Sequence, residues 1–264
     1  MLKLVILNLI LIGAVSAIAY IARRYARSER AKSLVLIASA LFTVLFHYSS
    51  LLVAVLSGEG FIAHLRENEN LILPIYPCNV VMWCAVIFAF LKCKKGAFGE
   101  YIADYVFWFG LVSNLVGMFL NVDFINNPTL LDFDVTKSIV SHAALLLFVF
   151  LLPTFGHVRL NLSRNLMHII ISIVMMLMIG AFCNLVYTVL VSEAEAYDVN
   201  SMFLIHSPFE GAEFLTYPVI SLIAIPIYFV VMFICELLLH KKSERFYNRK
   251  SFGLFDRMGG ETNE

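Results

Sequence analysis

The densest chemistry in the chain sits in one nine-residue stretch, LILPIYPCN, residues 71–79. Pro74 and Pro77 each lack a backbone N–H and interrupt a regular helix. Pro77 is also the residue type preferred at the first position of a new one. A helix restarting there puts Cys78 in its first turn, where the positive end of the helix dipole stabilises a thiolate. A thiolate is a nucleophile, and His142 is the matching general base. A third group must orient the imidazole. No carboxylate falls at that depth, so Asn184 is assigned the role, with Asn114 or a Tyr as alternatives. His47 is a second candidate base. Tyr76, Asn79, Asn114, Tyr187 and Tyr217 offer polar atoms to a substrate. The competing reading is a proline kink carrying an inert buried thiol.

These residues must be positioned by helices that cross a bilayer. Hydrophobic types make up 61% of the 264 residues and charged types 14%, with a mean hydropathy of +0.85. Ordinary globular chains carry roughly 45–50% and 25%, so there is too little charge to coat a soluble surface. A bilayer core needs about 20 apolar residues per helix. Seven runs qualify, near 4–22, 33–57, 71–91, 101–121, 138–156, 167–191 and 215–239. Nothing alternates with period two, which argues against a membrane barrel. The expectation is an all-α polytopic membrane protein, a seven-helix transmembrane bundle. It forms one transmembrane domain over 1–264, of which 240–264 is a basic tail.

Orientation follows from Lys and Arg in the short loops. Arg23, Arg24, Arg27, Arg30, Lys32, Lys92, Lys94, Lys95, Arg159, Arg164 and the six basic residues of the tail fall on one side. Only Lys3, Arg66 and Lys137 fall on the other, which carries acids instead. The N-terminus is therefore expected outside and the C-terminus in the cytoplasm. A cleaved signal peptide ending near Val15-Ser16-Ala17 would invert every later loop, and the charge bias opposes it. None of the five cysteines lies in an outer loop, and there is no CxxC or HExxH. Neither a disulfide framework, a metal site nor a cofactor is indicated.

Depth can be compared at 1.5 Å per helical residue. Cys78, Asn114 and Asn184 each lie roughly 10 Å below the outer end of their spans, His142 roughly 6 Å, His47 about 15 Å and Tyr217 about 3 Å. Polar groups inside hydrocarbon are costly and mark function. Gly110, Asn114, Gly117 and Asn121 recur along one helical face, as do Ser172, Met176, Gly180, Asn184 and Tyr187. Two readings of these stripes stay open: close helix packing through small residues, and the lining of a polar cavity open to the outer leaflet. The inner halves offer only Asp104 and Glu236, and His168 and His240 snorkel at the interface. The last outer loop, 192–214, carries Met202-Phe203-Leu204 among acids and is either a lid lying over the cavity or a plain solvated loop.

LPIYPCN at a helix start, YVFWFGLVSNLVGMF at 105–119 and SIVSHAALLL at 138–147 resemble the YwaF-like bacterial integral membrane proteins. These share a fold family with a mammalian transmembrane acyltransferase that remodels ether phosphatidylethanolamine. The resemblance implies that Cys78 accepts an acyl chain and pairs with His142 of the Ser141-His142 motif. The family pattern carries His where Tyr76 stands and Leu where Pro77 stands, so a base at position 76 is lost here. It also implies a bacterial cytoplasmic membrane protein.

The function expected is membrane-embedded acyl transfer or hydrolysis on a lipid ester. Phospholipids are the partners, as acyl donor or acceptor, and balanced charge gives no indication of nucleic acid. The alternative is a small-molecule transporter or substrate-binding membrane subunit, which lacks a visible inverted repeat and an inner-half polar path. A receptor with the pocket as sensor is a third reading.

Overall fold

The computed structural model describes residues 2–58, 60–119, 124, 129–191, 197–207 and 212–239. The basic tail, Asn121 and His240 lie outside them. The described residues form helices and no strand: α1 (Leu2–Tyr25), α2 (Glu29–His47), α3 (Ser49–Leu56), α4 (Phe61–Glu67), α5 (Pro77–Phe90), α6 (Ala97–Phe119), α7 (Phe133–Thr154), α8 (Leu162–Leu190) and α9 (Tyr217–Leu239). Short 3-10 turns occur at Glu69–Leu71 and Ser201–Phe203. Six helices, α1, α2, α6, α7, α8 and α9, are long and apolar enough to cross a membrane. Leu2, Leu190 and Leu238 are each more than 70% exposed, as lipid-facing side chains must be.

Two expected spans are broken. The run 33–57 divides at Tyr48, whose backbone leaves helical geometry (φ −88, ψ 3), and Ser49 Oγ caps the end of α2 by donating to Phe46 O at 2.7 Å. The run 71–91 is helical only from Pro77, giving 14 residues, about 21 Å of helix against a hydrocarbon core of about 30 Å. Residues 72–76 approach it in non-helical backbone, and Pro77 takes the first helical position as the sequence predicts. Lys94 closes the other end, donating from Nζ to Ala89 O at 3.0 Å and Leu91 O at 2.7 Å.

Polar caps set the remaining boundaries. Asp132 Oδ1 accepts from Asp134 N at 2.9 Å and starts α7. Asn161 Oδ1 accepts from Arg164 N at 3.2 Å and starts α8. Glu236 of α9 is buried and accepts from the free amide of Leu162 at 3.1 Å. This satisfies one of the unpaired donors at the start of α8.

α7 is the central helix, packed against α1, α2 and α6, and α5 fits between α2 and α6. α8 packs on both α6 and α9. Phe88 of α5 meets Phe148 of α7 edge to face, with ring centroids 6.5 Å apart. Tyr228 of α9 donates to Trp108 O of α6 at 3.2 Å.

At the end where α5 finishes, α6 and α8 are joined by charge. Asp104 is fully buried, and its Oδ2 lies 2.8 Å from His168 Nδ1 and 3.2 Å from Arg164 Nε. Arg164 Nη1 also pairs with Glu100 at 2.9 Å. Beyond His168, Ser172 Oγ and Tyr101 Oη lie 3.0 Å apart. His168 therefore does not snorkel outward: it turns into the bundle, because the buried carboxylate needs its N–H. Removing one partner of a buried pair leaves the other charge uncompensated, at about 3–5 kcal/mol. Asp104→Ala should lower the thermal unfolding midpoint in detergent by several degrees or prevent accumulation. Lys32→Ala, which breaks the exposed Lys32–Glu29 pair, should leave the midpoint unchanged.

Candidate functional site

The residues singled out from the sequence gather at the other end, where α5 begins. Gly110 fixes the level there. A Cβ on Gly110 would stand 2.7 Å from Val149 Cγ2 of α7 and 3.0 Å from Val81 Cγ1 of α5, so α5, α6 and α7 meet in one layer. Cys78 lies about one turn from Val81, and Asn114 about one turn from Gly110, on the same side of that layer because α5 and α6 run in opposite directions.

Asn114 is fully buried and donates from Nδ2 to Gly110 O at 2.6 Å. That bond fixes the amide, so Oδ1 faces His142 Nδ1 at 3.1 Å and accepts a hydrogen bond from it. A carbonyl oxygen only accepts, so the imidazole carries a proton on Nδ1. The Nε2 edge of the ring packs on Gly117. A Cβ there would stand 2.5 Å from both Cε1 and Nε2, so only glycine leaves room. The stripe Gly110, Asn114, Gly117 thus faces inward and serves both readings given for it: it permits close packing, and it seats a histidine.

Asn79 is the third residue of α5. Its Oδ1 accepts from Tyr76 N at 3.2 Å, which supplies the extended approach with a partner, and its Nδ2 lies 3.4 Å from His47 Nε2. The same nitrogen of His47 is 3.3 Å from Asn70 O. Bare, Nε2 accepts from Asn79; protonated, it donates to Asn70 O; it satisfies one at a time. Cys78 is a free, partly buried thiol. No hydrogen bond joins it to His142 among the described residues.

Asn184 does not orient the imidazole. Its Oδ1 accepts from Ser201 N at 2.8 Å, and its Nδ2 donates to Ser201 O at 3.4 Å. It clamps residues 197–207 onto α8. Asn114, held as a substrate ligand in the sequence reading, is the group on His142. Tyr187 is buried with Ile75, Cys183 and Val199. Tyr217 is also buried, with its hydroxyl 3.5 Å from Ile173 O, on α8 rather than beside His142.

The described part of the last long loop is a plug. Ser201 and Met202 are fully buried. Met202 N donates to Ile75 O at 2.8 Å, so the plug satisfies the non-helical approach to α5. Phe203 lies over Tyr76, ring centroids 5.7 Å apart. A Cβ on Gly180 would stand 2.8 Å from Met202 Cβ and Leu204 Cδ1, so that glycine admits the plug. Asn200, Met202 and Phe203 all have positive φ, between 44° and 56°, which costs a non-glycine residue about 1–3 kcal/mol. Asn200 offsets part of this: its Oδ1 accepts from Ile205 N at 2.9 Å, and its Nδ2 donates to His206 O at 2.9 Å. Sequence reasoning left Asn200 and His206 without a role. The usable signal was an Asn, a residue that tolerates left-handed backbone, just before the apolar Met202-Phe203-Leu204.

Six bilayer-length apolar helices, polar side chains turned inward and exposed leucines define a multi-pass helical membrane protein. The TMEM164 family model matches residues 1–239, and the chain belongs to that family of membrane proteins. No curated protein and no solved structure matches it.

Two substitutions test this geometry. Gly117→Ala should displace His142 and lower stability by about 1–3 kcal/mol, the usual result of overpacking, read as a drop in unfolding midpoint; an unchanged midpoint would mean that the ring does not sit on Gly117. Asn184→Ala should speed amide hydrogen exchange at Ser201 and Met202 about fivefold or more, the loss of at least one net hydrogen bond, while exchange in α7 stays as it was.

Proposed function

We propose that this chain is a lipid acyltransferase or hydrolase of the bacterial cytoplasmic membrane, with Cys78 as nucleophile and His142 as base. The observation that carries the reading is the partner of His142: Asn114 Oδ1 accepts a hydrogen bond from its Nδ1–H, which makes Nε2 the nitrogen that would take a proton. That is the arrangement a cysteine–histidine–asparagine constellation requires. The level shared by Cys78 and Asn114, the start of α5 at Pro77 and the resemblance of LPIYPCN and SIVSHAALLL to an acyl-accepting family support it.

In this mechanism the Cys78 thiol gives its proton to His142 Nε2 as sulfur attacks a lipid ester carbonyl. The carbonyl π pair moves onto oxygen, toward the Cys78 backbone N–H in the first turn of α5, since the next two amides are taken by Tyr76 O. The tetrahedral species collapses, the alkoxide leaves with the proton from His142, and a thioester remains. A second alcohol, or water, gives its proton to His142 and attacks the thioester. The acyl group departs on that oxygen, and the proton returns to sulfur. Phospholipid esters are the substrate class, since the site lies within the apolar belt near one face. The seven-pass topology, with α5 completing the set, and an external N-terminus are part of the same proposal; the loop basicity supports them.

The test is acyl exchange by purified protein with ester phospholipids, together with mass spectrometry of the Cys78 peptide. Cys78→Ala should abolish exchange and the thioester adduct while the protein still accumulates, and Cys84→Ala, on the same helix, should leave both intact. His142→Ala should cost about 10²–10⁴-fold. The double variant Cys78→Ala/His142→Ala should be no worse than Cys78→Ala alone, because residues acting as one unit are not additive. Full exchange by Cys78→Ala would overturn the proposal.

A further inference from the structure

The end of the bundle opposite Cys78 holds a second constellation that the acyl-transfer reading does not use. The segment between α5 and α6 brings Lys94 and Lys95 to it, and the segment between α7 and α8 brings His157 and Arg159. The first turns of α6 and α8 add Glu100 and Arg164. They surround a small pocket of about 20 Å³, room for roughly one water or one oxygen of an oxyanion.

The charges there do not balance. Glu100 and Asp104 are both committed to Arg164. Glu29 is committed to Lys32 at 2.7 Å, and buried Glu236 accepts from Leu162 N at 3.1 Å at the start of α8. Lys94 spends two of its three donors on the end of α5 and stands 5.7 Å over the Phe88 ring. His157 is held edge-on against the same ring at 5.2 Å. The side chains of Lys95 and Arg159 make no ion pair or hydrogen bond among the described residues. Burial, then Lys94 and the more distant Lys32 and Lys95, holds His157 below the usual histidine range, and burial lowers Lys94 as well. A general excess of Lys and Arg on one side of a membrane calls for exposed cations spread through solvent. It does not call for a half-buried lysine and histidine converging with an arginine on one cavity whose acids are all occupied.

We infer that this pocket is a binding site for an anionic phosphate group, seated by Lys94, Lys95, Arg159 and Arg164. The chemistry fits a net-anionic phospholipid headgroup or a free phosphate. Lys94, Lys95 and Arg159 act on it as positive charges, and Arg164, whose three nitrogens already face Asp104, Glu100 and Arg159 O, adds the remaining N–H of each terminal nitrogen. About 20 Å of helix separates the two ends of α5, so the site is distinct from Cys78, and its fate does not depend on that chemistry.

The full-length protein in nanodiscs of equal phosphatidylglycerol and phosphatidylcholine, released into mild detergent for native mass spectrometry, reports the lipid it retains. A parallel series follows the melting temperature with added inorganic phosphate. The variants are Lys95→Ala/Arg159→Ala and the charge-conserving Lys95→Arg/Arg159→Lys. Both residues are exposed, so neither pair disturbs the core. Wild type should retain phosphatidylglycerol over phosphatidylcholine, and the alanine pair should weaken that retention about thirtyfold, two cations' worth. If phosphate raises the melting temperature of wild type but not of the alanine pair, without lipid preference, the site stands with a soluble ligand. Equal behaviour of wild type and the alanine pair in both measurements overturns it. So does loss of binding in the charge-conserving pair at an unchanged melting temperature.

Discussion

A bilayer offers no water to an unpaired backbone group, so a proline inside a membrane run creates an obligation that the rest of the chain must meet. Pro74 and Pro77 create it here. The five residues before α5 are not helical, yet Ile75 among them and Leu71 just before them are buried. Their backbone is satisfied by parts far away in sequence. Asn79 reaches back to Tyr76 N, and Met202 N reaches Ile75 O. Once Met202 is required at that spot, Asn184 must hold Ser201, residue 180 must lack a side chain, and Asn200 must stabilise a left-handed backbone. One interruption in one helix thereby accounts for the plug, the glycine opposite it and three asparagines.

The same interruption explains which parts could be read in advance. Membrane crossing is a property of composition over about 20 residues, so six spans are visible as apolar runs. The start of α5 at Pro77 is local chemistry and is also visible. The partner of His142 is not. Asn114 and Asn184 are the same residue type at similar depth on similar stripes, and only the packing of Gly110 on Val81 and Val149 decides which one meets the imidazole. The plug was half legible: its apolar triplet stands out among acids, but burial of Met202 depends on Gly180 and on a carbonyl freed by a proline more than a hundred residues earlier. The break at Tyr48 had no strong signal, since no Pro or Gly marks it. His168 was misjudged because a histidine near an interface has an obvious way out to water, and its buried partner Asp104 lies 64 residues away.

The two ends of the bundle handle polarity in opposite ways, and the difference bears on chemistry. Where α5 finishes, ionic groups are buried and paired, Asp104 with Arg164 and His168. Such an arrangement costs much desolvation and gains mainly definition of geometry. Where α5 begins, the inward groups are a thiol, imidazoles, amides and phenols, all neutral in the arrangement described. Neutral hydrogen-bonded groups are tolerable in a low-dielectric interior, and a permanent charge beside Cys78 would be expensive. A site of this kind can still generate charge briefly. In the proposed reaction a thiolate and an imidazolium appear together, as an adjacent pair, and vanish together when the thioester forms. Their mutual attraction is large in an environment that excludes water. The oxyanion meets backbone dipoles that are already fixed by the helix start. An amide in place of a carboxylate on His142 Nδ1 then has a physical sense: it can hold the Nδ1–H without placing a permanent negative charge in hydrocarbon, and the fully buried Asn114 is anchored for that by its bond to Gly110.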